Sequence, residues 1–268
     1  MFQIVCKYDK KQIVQVLYTE AEMNGHELLY DVKYYEVDYK KRVLITSVMN
    51  YFQDLVVKDS EKKQIGLDFL KKRDMAWVIA KWDIEVKKYP SFKDTLLVKT
   101  IPVALKSFYA HRRFEIWNKN SELVISANTL WILINIKTRK PVKIDALFYD
   151  AYGLDHENTD KLDFEKLQIP EQFTAQNEFT IRYTDIDTNE HVNNVKFVEW
   201  AMQTIPFEVI TSKTLCRIQI EYKKEALYGD SVLSCSQMSK KEESIEFQHL
   251  ICDSSMEKEF AVLKSTWK

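Results

Sequence analysis

The sequence predicts an α+β protein built from two tandem units, each a long antiparallel β-sheet wrapped around a central helix. Three observations support this prediction. The N-terminal and C-terminal parts of the chain share two blocks of similar sequence. In each part, a segment with helical spacing of apolar residues precedes several long runs rich in Val, Ile and Leu. The chain has only four glycines and no glycine-rich phosphate loop, which argues against a nucleotide-binding fold.

The two blocks indicate that the chain arose by internal duplication. The first block aligns residues 30–52 with 179–201 at an offset of 149. The second aligns residues 84–98 with 220–234 at an offset of 136, and six of its fifteen positions are identical. Because both matches occur in the same order along the chain, duplication explains them better than chance.

The duplication predicts two structural units joined by a linker. The second offset also aligns Trp131 with Trp267, near the end of each copy. The drop between the offsets leaves thirteen extra residues in the N-terminal copy, around 57–77. The interval between the copies is acidic and polar, which is typical of a surface linker. We therefore expect an N-terminal unit at residues 1–149, a linker at 150–176 and a C-terminal unit at 177–268.

Each unit is predicted to run from a strand through a turn and a helix into several further strands. In the C-terminal unit, FTIRY at 179–183 alternates like a strand. A helix with one apolar face follows and should end at Pro206; the apolar positions are Val195, Val198, Met202 and Ile205. Residues 43–57 should form the matching helix of the N-terminal unit. The later strands are predicted at 95–105, 112–117, 123–136, 216–224, 231–238, 244–252 and 260–267.

The composition excludes several classes of protein. A net charge of −1 argues against a general nucleic-acid binder. No run of about eighteen apolar residues is present and the N-terminus lacks a signal-peptide pattern, so we expect a soluble cytoplasmic protein without stable membrane insertion. Neither a zinc site nor a disulfide framework is indicated by the cysteine spacing, and reduced, mostly buried thiols are expected at Cys6, Cys216, Cys235 and Cys252.

Polar side chains concentrate in YTDIDTNEHVNN, residues 183–194, directly before the predicted helix. One interpretation is structural, because Asp and Asn tolerate turns and cap helices. The N-terminal copy, however, builds the corresponding turn without the asparagine or the histidine. A chemical role is the other interpretation, since backbone N–H groups at the helix N-terminus could stabilise an oxyanion. The copies differ at three aligned pairs: Lys40 and Asn189, Arg42 and His191, and Tyr89 and Glu225.

These residues resemble the acyl-acyl carrier protein (acyl-ACP) thioesterases of the double hot-dog type. The family motif D-x-N-x-H-V-N-N-V-K stands at Asp187–Lys196, and the segment E-Y-[RK]-[RK]-E stands at Glu221–Glu225. Segments of the N-terminal copy also fit, so the likeness covers nearly the whole chain. One departure is Ala226, where plant members often have a cysteine, and this argues against an obligatory thiol. The chain shows no plastid-type leader and therefore resembles the bacterial branch.

The resemblance implies hydrolysis of the thioester between a fatty acyl chain and the phosphopantetheine arm of ACP. The free fatty acid would be released and chain elongation would end, and no cofactor or metal is expected. Glu225 would activate a water molecule or attack the carbonyl itself. His191 would orient or polarise the reacting groups and move a proton to the leaving thiolate. Asn189 would hold the glutamate or the carbonyl, and Asp187 would fix the turn. The backbone amides of 192–194 are the oxyanion candidates.

Substrate binding is expected largely in the N-terminal unit. Candidate liners of an acyl pocket are Met49, Phe52, Leu55 and Trp77, with ordinary core packing as the alternative. Because ACP is acidic, a basic surface of the protein should bind it. Whether the protein forms a homodimer stays open. The candidate basic clusters are Lys137, Arg139, Lys140 and Lys143; Lys71, Lys72 and Arg73; and Arg112 and Arg113.

Three other functions stay open at this point. The same fold could act on acyl-CoA instead of acyl-ACP. A hydratase or dehydratase of the hot-dog type would need a different spacing of its acidic and histidine residues. A non-catalytic acyl-binding or scaffold protein would bind lipid normally and would not respond to changes at Glu225 or His191.

Overall fold

The computed structural model describes residues 3–8, 13–18, 25–157 and 160–268. Its main body is a ten-stranded antiparallel sheet with helices packed against it. The helices are α1 (Ile45–Lys62), α2 (Leu67–Lys72), α3 (Ala146–Tyr152), α4 (Asn194–Met202) and α5 (Phe207–Ser212). The strands of this sheet are β3 (His26–Asp31), β4 (Met75–Val86), β5 (Thr95–Lys106), β6 (Tyr109–Trp117), β7 (Leu123–Asn135), β8 (Ala175–Thr180), β9 (Leu215–Tyr222), β10 (Ser231–Lys240), β11 (Ile245–Cys252) and β12 (Glu259–Trp267). Strands β1 (Gln3–Tyr8) and β2 (Ile13–Tyr18) pair with each other in a separate small sheet.

The order of the strands shows the duplication directly. The sheet runs β3-β5-β6-β7-β4-β9-β12-β11-β10-β8, so each unit presents the same order from its outer edge to the centre. The units join where β4 pairs with β9, and two ion pairs cross this seam: Lys81–Glu221 at 3.0 Å and Arg217–Asp83 at 2.6 Å. The prediction of an α+β fold from two tandem units is confirmed, with the two sheets continuous.

Hydrogen bonds also repeat at equivalent positions in the two units. Asp38 and Asp187 each accept hydrogen bonds on Oδ1 from backbone N–H groups two and four residues later. Trp131 and Trp267 each donate an indole N–H to a hydroxyl two residues earlier. Such matching detail is what a duplicated structural unit produces when its turns and registers are preserved.

The central helices differ in length between the units. Helix α1 has 18 residues and α4 has nine, so part of the extra length predicted around 57–77 extends α1. Helix α4 ends at Met202, short of the predicted end at Pro206, which instead precedes α5. A tertiary contact helps to end the helix: the Asn177 side chain, on β8, donates to the Gln203 carbonyl at 2.8 Å, which satisfies this carbonyl outside the helix.

One hydrophobic core holds both central helices against the sheet. Val48, Phe52 and Leu55 of α1 belong to the same buried cluster as Val195 and Val198 of α4. Their spacing of three and four residues gives each helix one apolar face. Burying a large aliphatic or aromatic side chain stabilises a fold by about 1.5–3 kcal/mol, so this shared core fixes where the turn before α4 lies.

The segment between the units follows the outer surface of the sheet. The predicted linker, 150–176, begins inside α3, where Tyr152 is buried, and ends inside β8. Further along, Leu167 and Phe173 pack on a small buried cluster of the C-terminal sheet.

Candidate active site

The polar turn before α4 is built by its own carboxylates. Residues Tyr183–Asp185 form a single 3-10 turn, and the fully buried Asp185 accepts hydrogen bonds from the backbone and guanidinium of Arg182. Asp187 then accepts the N–H of Asn189 at 2.8 Å and, more weakly, that of His191 at 3.4 Å. The turn therefore sets the position of His191 through backbone contacts.

The segment after β9 is tied to this turn by a backbone hydrogen bond. The N–H of Val192 donates to the carbonyl of Ala226 at 3.0 Å. As a result, His191 Nε2 lies 3.2 Å from Glu225 Oε2, although the two residues belong to separate segments. Their side chains are 25% and 35% exposed, so both remain open to a substrate. The structure thus brings together two of the residues expected from the sequence.

The equivalent place in the N-terminal unit has a different chemistry. Arg42 is bonded to the carboxylate of Asp38, with its Nε 2.9 Å from Oδ2. Its guanidinium carbon lies 5.7 Å from the centre of the Tyr89 ring. Burial raises the pKa of Tyr89 far above its usual value, which keeps the phenol protonated. The N-terminal copy therefore has a cation–π contact where the C-terminal copy has an acid–base pair.

The environment of His191 favours its neutral form. Burial lowers the pKa of the imidazole, and the positive charge of Arg139 lowers it further, while Asp187 and Glu190 oppose the shift. A neutral ring facing a carboxylate through Nε2 carries its proton on that nitrogen, an assignment made from the geometry. His191 can therefore donate a hydrogen bond to Glu225 and pass a proton within the site.

Arg139 is a third member of the site that the sequence did not identify as one. It follows β7 in the N-terminal unit, and its Nη2 contacts Oε1 of Glu225. The sequence placed this arginine in a basic cluster for carrier binding, because no linear pattern connects residues 139 and 225. One oxygen of the Glu225 carboxylate is held by Arg139 and the other by His191.

Two of the predicted oxyanion amides are already used within the protein. The N–H of Val192 donates to Ala226, and that of Asn193 donates to the Asp185 carbonyl at 2.8 Å. The prediction is wrong for these two positions, because each amide closes the turn onto a neighbour. Asn194 is the first residue of α4, where backbone N–H groups lack intrahelical acceptors, and it stays a candidate.

Asn189 is exposed, and it contributes to the turn through its backbone. Its N–H donates to Asp187 as described above. Among the described residues, no hydrogen bond joins its side chain to Glu225 or His191. The predicted contact of its amide with the glutamate or the carbonyl therefore stays a prediction for the complex with substrate.

A small pocket of about 30 Å³ opens in the N-terminal unit. Of the four predicted liners, Trp77 lines it; Met49, Phe52 and Leu55 do not, because they are wholly buried in the core against the sheet. The walls are otherwise mostly apolar and aromatic, with one buried cation, and comprise Val56, Ser60, Pro102, Leu105, Ala110, His111, Arg112, Trp131 and Tyr152.

The predicted basic clusters differ in their exposure. Arg112 is buried, with Nη1 3.0 Å from Asp59 Oδ2 and 2.8 Å from Thr100 Oγ1, so its assignment to a carrier-binding surface is wrong. The neighbouring Arg113 is exposed. Exposed lysines are also present beside Arg139, at Lys140 and Lys143, and on α2, at Lys71 and Lys72.

Three of the four cysteines have described side chains. Cys235 and Cys252 are buried and Cys216 is partly exposed, and all three are free thiols. The prediction for Cys6 lies outside the residues whose side chains the structure describes. Across 25–157 and 160–268, no three His, Cys, Asp or Glu side chains are grouped as a metal site would require. No helix within those ranges combines the length and apolar character needed to cross a membrane.

Comparison with known proteins finds two family models and many relatives. The model of the acyl-ACP thioesterase N-terminal domain matches residues 24–152, and that of the C-terminal domain matches residues 168–268. A chloroplastic acyl-[acyl-carrier-protein] hydrolase of Cuphea viscosissima is 30% identical over 83% of this chain and 57% of its own length. The chain thus spans a little over half the length of the curated relatives it matches.

Solved structures show the same fold. The putative oleoyl thioesterase of Lactobacillus plantarum superposes with a TM-score of 0.82 at 20% identity, covering 91% of this chain and 96% of that one. The 12:0-ACP thioesterase of Umbellularia californica superposes with a TM-score of 0.81 at 24% identity, covering 91% and 94%. The double hot-dog architecture is therefore shared along nearly the entire length of both.

Proposed function

The chain belongs to the acyl-ACP thioesterase family, and from that premise we propose that it hydrolyses the thioester of fatty acyl-ACP. The reaction releases a free fatty acid and ends elongation of the chain. The observation that carries this proposal is the 3.2 Å contact between His191 Nε2 and Glu225 Oε2. A non-catalytic acyl-binding protein has no need of such a pair, and the N-terminal copy dispenses with it.

Glu225 is the group proposed to start the reaction. In one route it takes a proton from a water molecule, and the hydroxide attacks the thioester carbonyl carbon. In the other it attacks that carbon itself and forms an anhydride, which water then hydrolyses. Either route fits a carboxylate that is 35% exposed and held on both oxygens.

The remaining groups handle the negative charge and the proton. The oxyanion of the tetrahedral intermediate would lie at the start of α4, where the Asn194 amide and the positive end of the helix dipole stabilise it. In the water route, the proton that Glu225 took from water passes to the leaving thiolate when the carbon–sulfur bond breaks, directly or through His191. In the anhydride route, the sulfur leaves as a thiolate, and the proton it then takes up is released by the water that opens the anhydride. A neutral His191 suits this transfer, because it can donate and then regain a proton near neutral pH.

Features of the N-terminal unit support an acyl substrate on an acidic carrier. The small pocket lined by Trp77 and Trp131 supplies apolar walls for one part of an acyl chain, and the rest of the chain would need the pocket to widen on binding. Lys140 and Lys143 are exposed beside the turn that carries Arg139 to Glu225, which suits the docking of an acidic protein near the site. ACP as the partner and a cytoplasmic location belong to the same proposal.

The test compares matched substrates and matched variants of the purified protein. Wild type, Glu225→Gln, His191→Ala and Tyr89→Phe are assayed with acyl-ACP and with acyl-CoA of the same acyl chain. We expect Glu225→Gln and His191→Ala to reduce kcat by about 10²–10⁴-fold, the usual contribution of an acid–base group. Tyr89→Phe alters the position aligned with Glu225 in the other copy and should retain turnover.

The outcomes separate the proposed function from its alternatives. Turnover of acyl-CoA with a higher kcat/KM than acyl-ACP would identify the carrier as CoA. Binding of acyl-ACP without hydrolysis by a folded wild-type protein would refute the enzyme assignment. Equal rates in wild type and Glu225→Gln would show that another group performs the chemistry.

A further inference from the structure

The carboxylate of Glu225 is completed by a residue from the other unit. Its Oε1 is contacted by Arg139 Nη2, and its Oε2 lies 3.2 Å from His191 Nε2. We infer that Arg139 is a positioning residue for Glu225, so that the site is shared between the two units. This inference rests on the proposed hydrolysis and adds to it a residue that does not touch the substrate.

The turn that carries Arg139 is held in place by several contacts. Asn135 accepts hydrogen bonds on Oδ1 from the backbone N–H groups of Lys137 and Thr138, at 3.0 and 2.8 Å. The Arg139 N–H donates to the Asn135 carbonyl at 2.8 Å, and Lys137 Nζ bonds Asp74 at 2.7 Å. On the other side of the arginine, the Asn135 N–H donates to the Lys140 carbonyl at 2.9 Å. These contacts anchor both sides of Arg139, and its side chain extends towards Glu225 from this support.

The backbone conformation of Arg139 points in the same direction. Its φ is +59°, in the left-handed region that residues with a side chain seldom adopt. The surrounding turn imposes this conformation. Strain of this kind persists where the neighbouring structure requires it, and here it accompanies the contact with the carboxylate.

The two copies meet the need for a cation in different ways. In the N-terminal copy Arg42 supplies a permanent charge from within the turn and lies over Tyr89. In the C-terminal copy the aligned residue is His191, which is neutral, so the turn no longer carries that charge. Arg139 restores a permanent cation at this position from across the seam. The C-terminal copy thus has a histidine for proton transfer in the turn, and its permanent positive charge comes from Arg139 after β7.

Holding both oxygens has a direct chemical use. Each carboxylate oxygen has two lone-pair directions, so one contact per oxygen fixes the plane of the group and leaves a direction free on each. A carboxylate held in one orientation directs its remaining lone pairs towards the water molecule or the carbonyl carbon each time a substrate binds. Losing such orientation can cost about 10²-fold in rate even when all reacting groups remain.

Carrier docking is the competing role for Arg139, because two exposed lysines lie nearby at Lys140 and Lys143. The two roles affect different kinetic constants. A positioning residue acts on kcat for any acyl carrier, whereas a docking residue acts on KM for the acidic carrier only. A change at Lys119 therefore serves as the matched control, since it removes an exposed cation from the turn before β7, at the end of that strand opposite Arg139.

The experiment uses the purified protein with Arg139→Ala, Arg139→Lys or Lys119→Ala, assayed with acyl-ACP and the matching acyl-CoA. Arg139→Ala should lower kcat by about 10–100-fold with both carriers and leave both KM values within about threefold. Arg139→Lys keeps the charge and should retain more activity, although it lacks the planar fork. Added guanidinium ion should partly restore kcat in Arg139→Ala and have no such effect in Glu225→Gln. Lys119→Ala should leave kcat and both KM values unchanged.

Each result bears on the inference. A rise in KM for acyl-ACP alone, with kcat retained in Arg139→Ala, would assign the arginine to carrier docking and overturn the inference while leaving the hydrolase intact. An inactive but folded wild type would refute the proposed function and this inference with it. A normal thermal midpoint for Arg139→Ala, expected for a side chain that is 43% exposed, shows that lost activity does not arise from unfolding.

Discussion

Lowering the pH should destabilise this protein through one buried histidine. His249 is fully buried on β11, with its Nε2 3.0 Å from Ser265 Oγ and its Nδ1 3.4 Å from Thr204 Oγ1. Burial lowers the pKa of this imidazole from its ordinary value of 6.5 to about 3. Hydroxyl partners can bond a neutral ring, but neither supplies a negative charge that would favour the protonated form.

The direction follows from proton linkage. The unfolded chain binds a proton at His249 below about pH 6.5, whereas the folded protein does so only near pH 3. The stability that the neutral ring supports is therefore complete above pH 6.5 and is lost as the pH falls towards 3. Since one pKa unit corresponds to about 1.4 kcal/mol, the free energy of unfolding should fall by about 2 kcal/mol between pH 7 and pH 5.

Urea unfolding at pH 7 and pH 5 measures this effect, with His249→Gln as the matched variant. Glutamine can bond both hydroxyls and does not titrate, so it removes the contribution of His249 alone. Burial also lowers the pKa of His191 and His111, and their contributions remain in both proteins. Carboxyl groups titrate mainly below this range. If wild type and His249→Gln lose equal stability between the two pH values, the reasoning about His249 is wrong.

Three further predictions concern the turn, the buried ion pair and the pocket. Asp187→Ala should lower the free energy of unfolding in urea by about 1 kcal/mol and remove most of the activity, because the hydrogen bonds of Asp187 position His191. Asp38→Ala, the equivalent change in the N-terminal unit, should lower stability alone. Equal activity in the two variants would contradict the positioning role of Asp187. Arg112→Met should cost up to about 3–5 kcal/mol, because the buried Asp59 carboxylate then keeps only its ion pair with Lys63 at 3.3 Å. Adding Asp59→Leu should recover most of the loss, and no recovery would show that the pair with Arg112 itself is essential. Trp77→Leu should widen the pocket and so shift the fatty acids released in cells towards longer chains. Gas chromatography of the released fatty acids measures this shift, and an unchanged profile would exclude Trp77 from chain selection.

Much of the fold could be predicted because its signals are local. The duplication, the two apolar helix faces and the polar turn are all readable from short segments and their spacing. Periodicity identified α4 correctly through Val198 but placed its end near Pro206, because the bond from Asn177 that helps end the helix comes from a distant strand. Element boundaries of this kind depend on contacts that the local pattern does not contain.

The site was predictable only in part. Aligning the two copies identified His191 and Glu225, because these positions carry different residues in the N-terminal copy. The same reasoning could not separate Arg112, buried against Asp59, from the exposed Arg113 next to it. Alternation along β6 is the signal that could have separated them, because successive side chains of a strand point to opposite faces.

The sequence by itself determined the class of fold, the two units and the polar groups available for chemistry. Only the tertiary structure decided which of those groups meet. The pairing of β4 with β9 joins the two units in one sheet, and the turn after β7 brings Arg139 to Glu225, while the hydrogen bond from Val192 to Ala226 brings His191 to it. The physical reason is that secondary structure follows from neighbouring residues, whereas contacts between remote side chains follow from strand register and packing across the whole sheet.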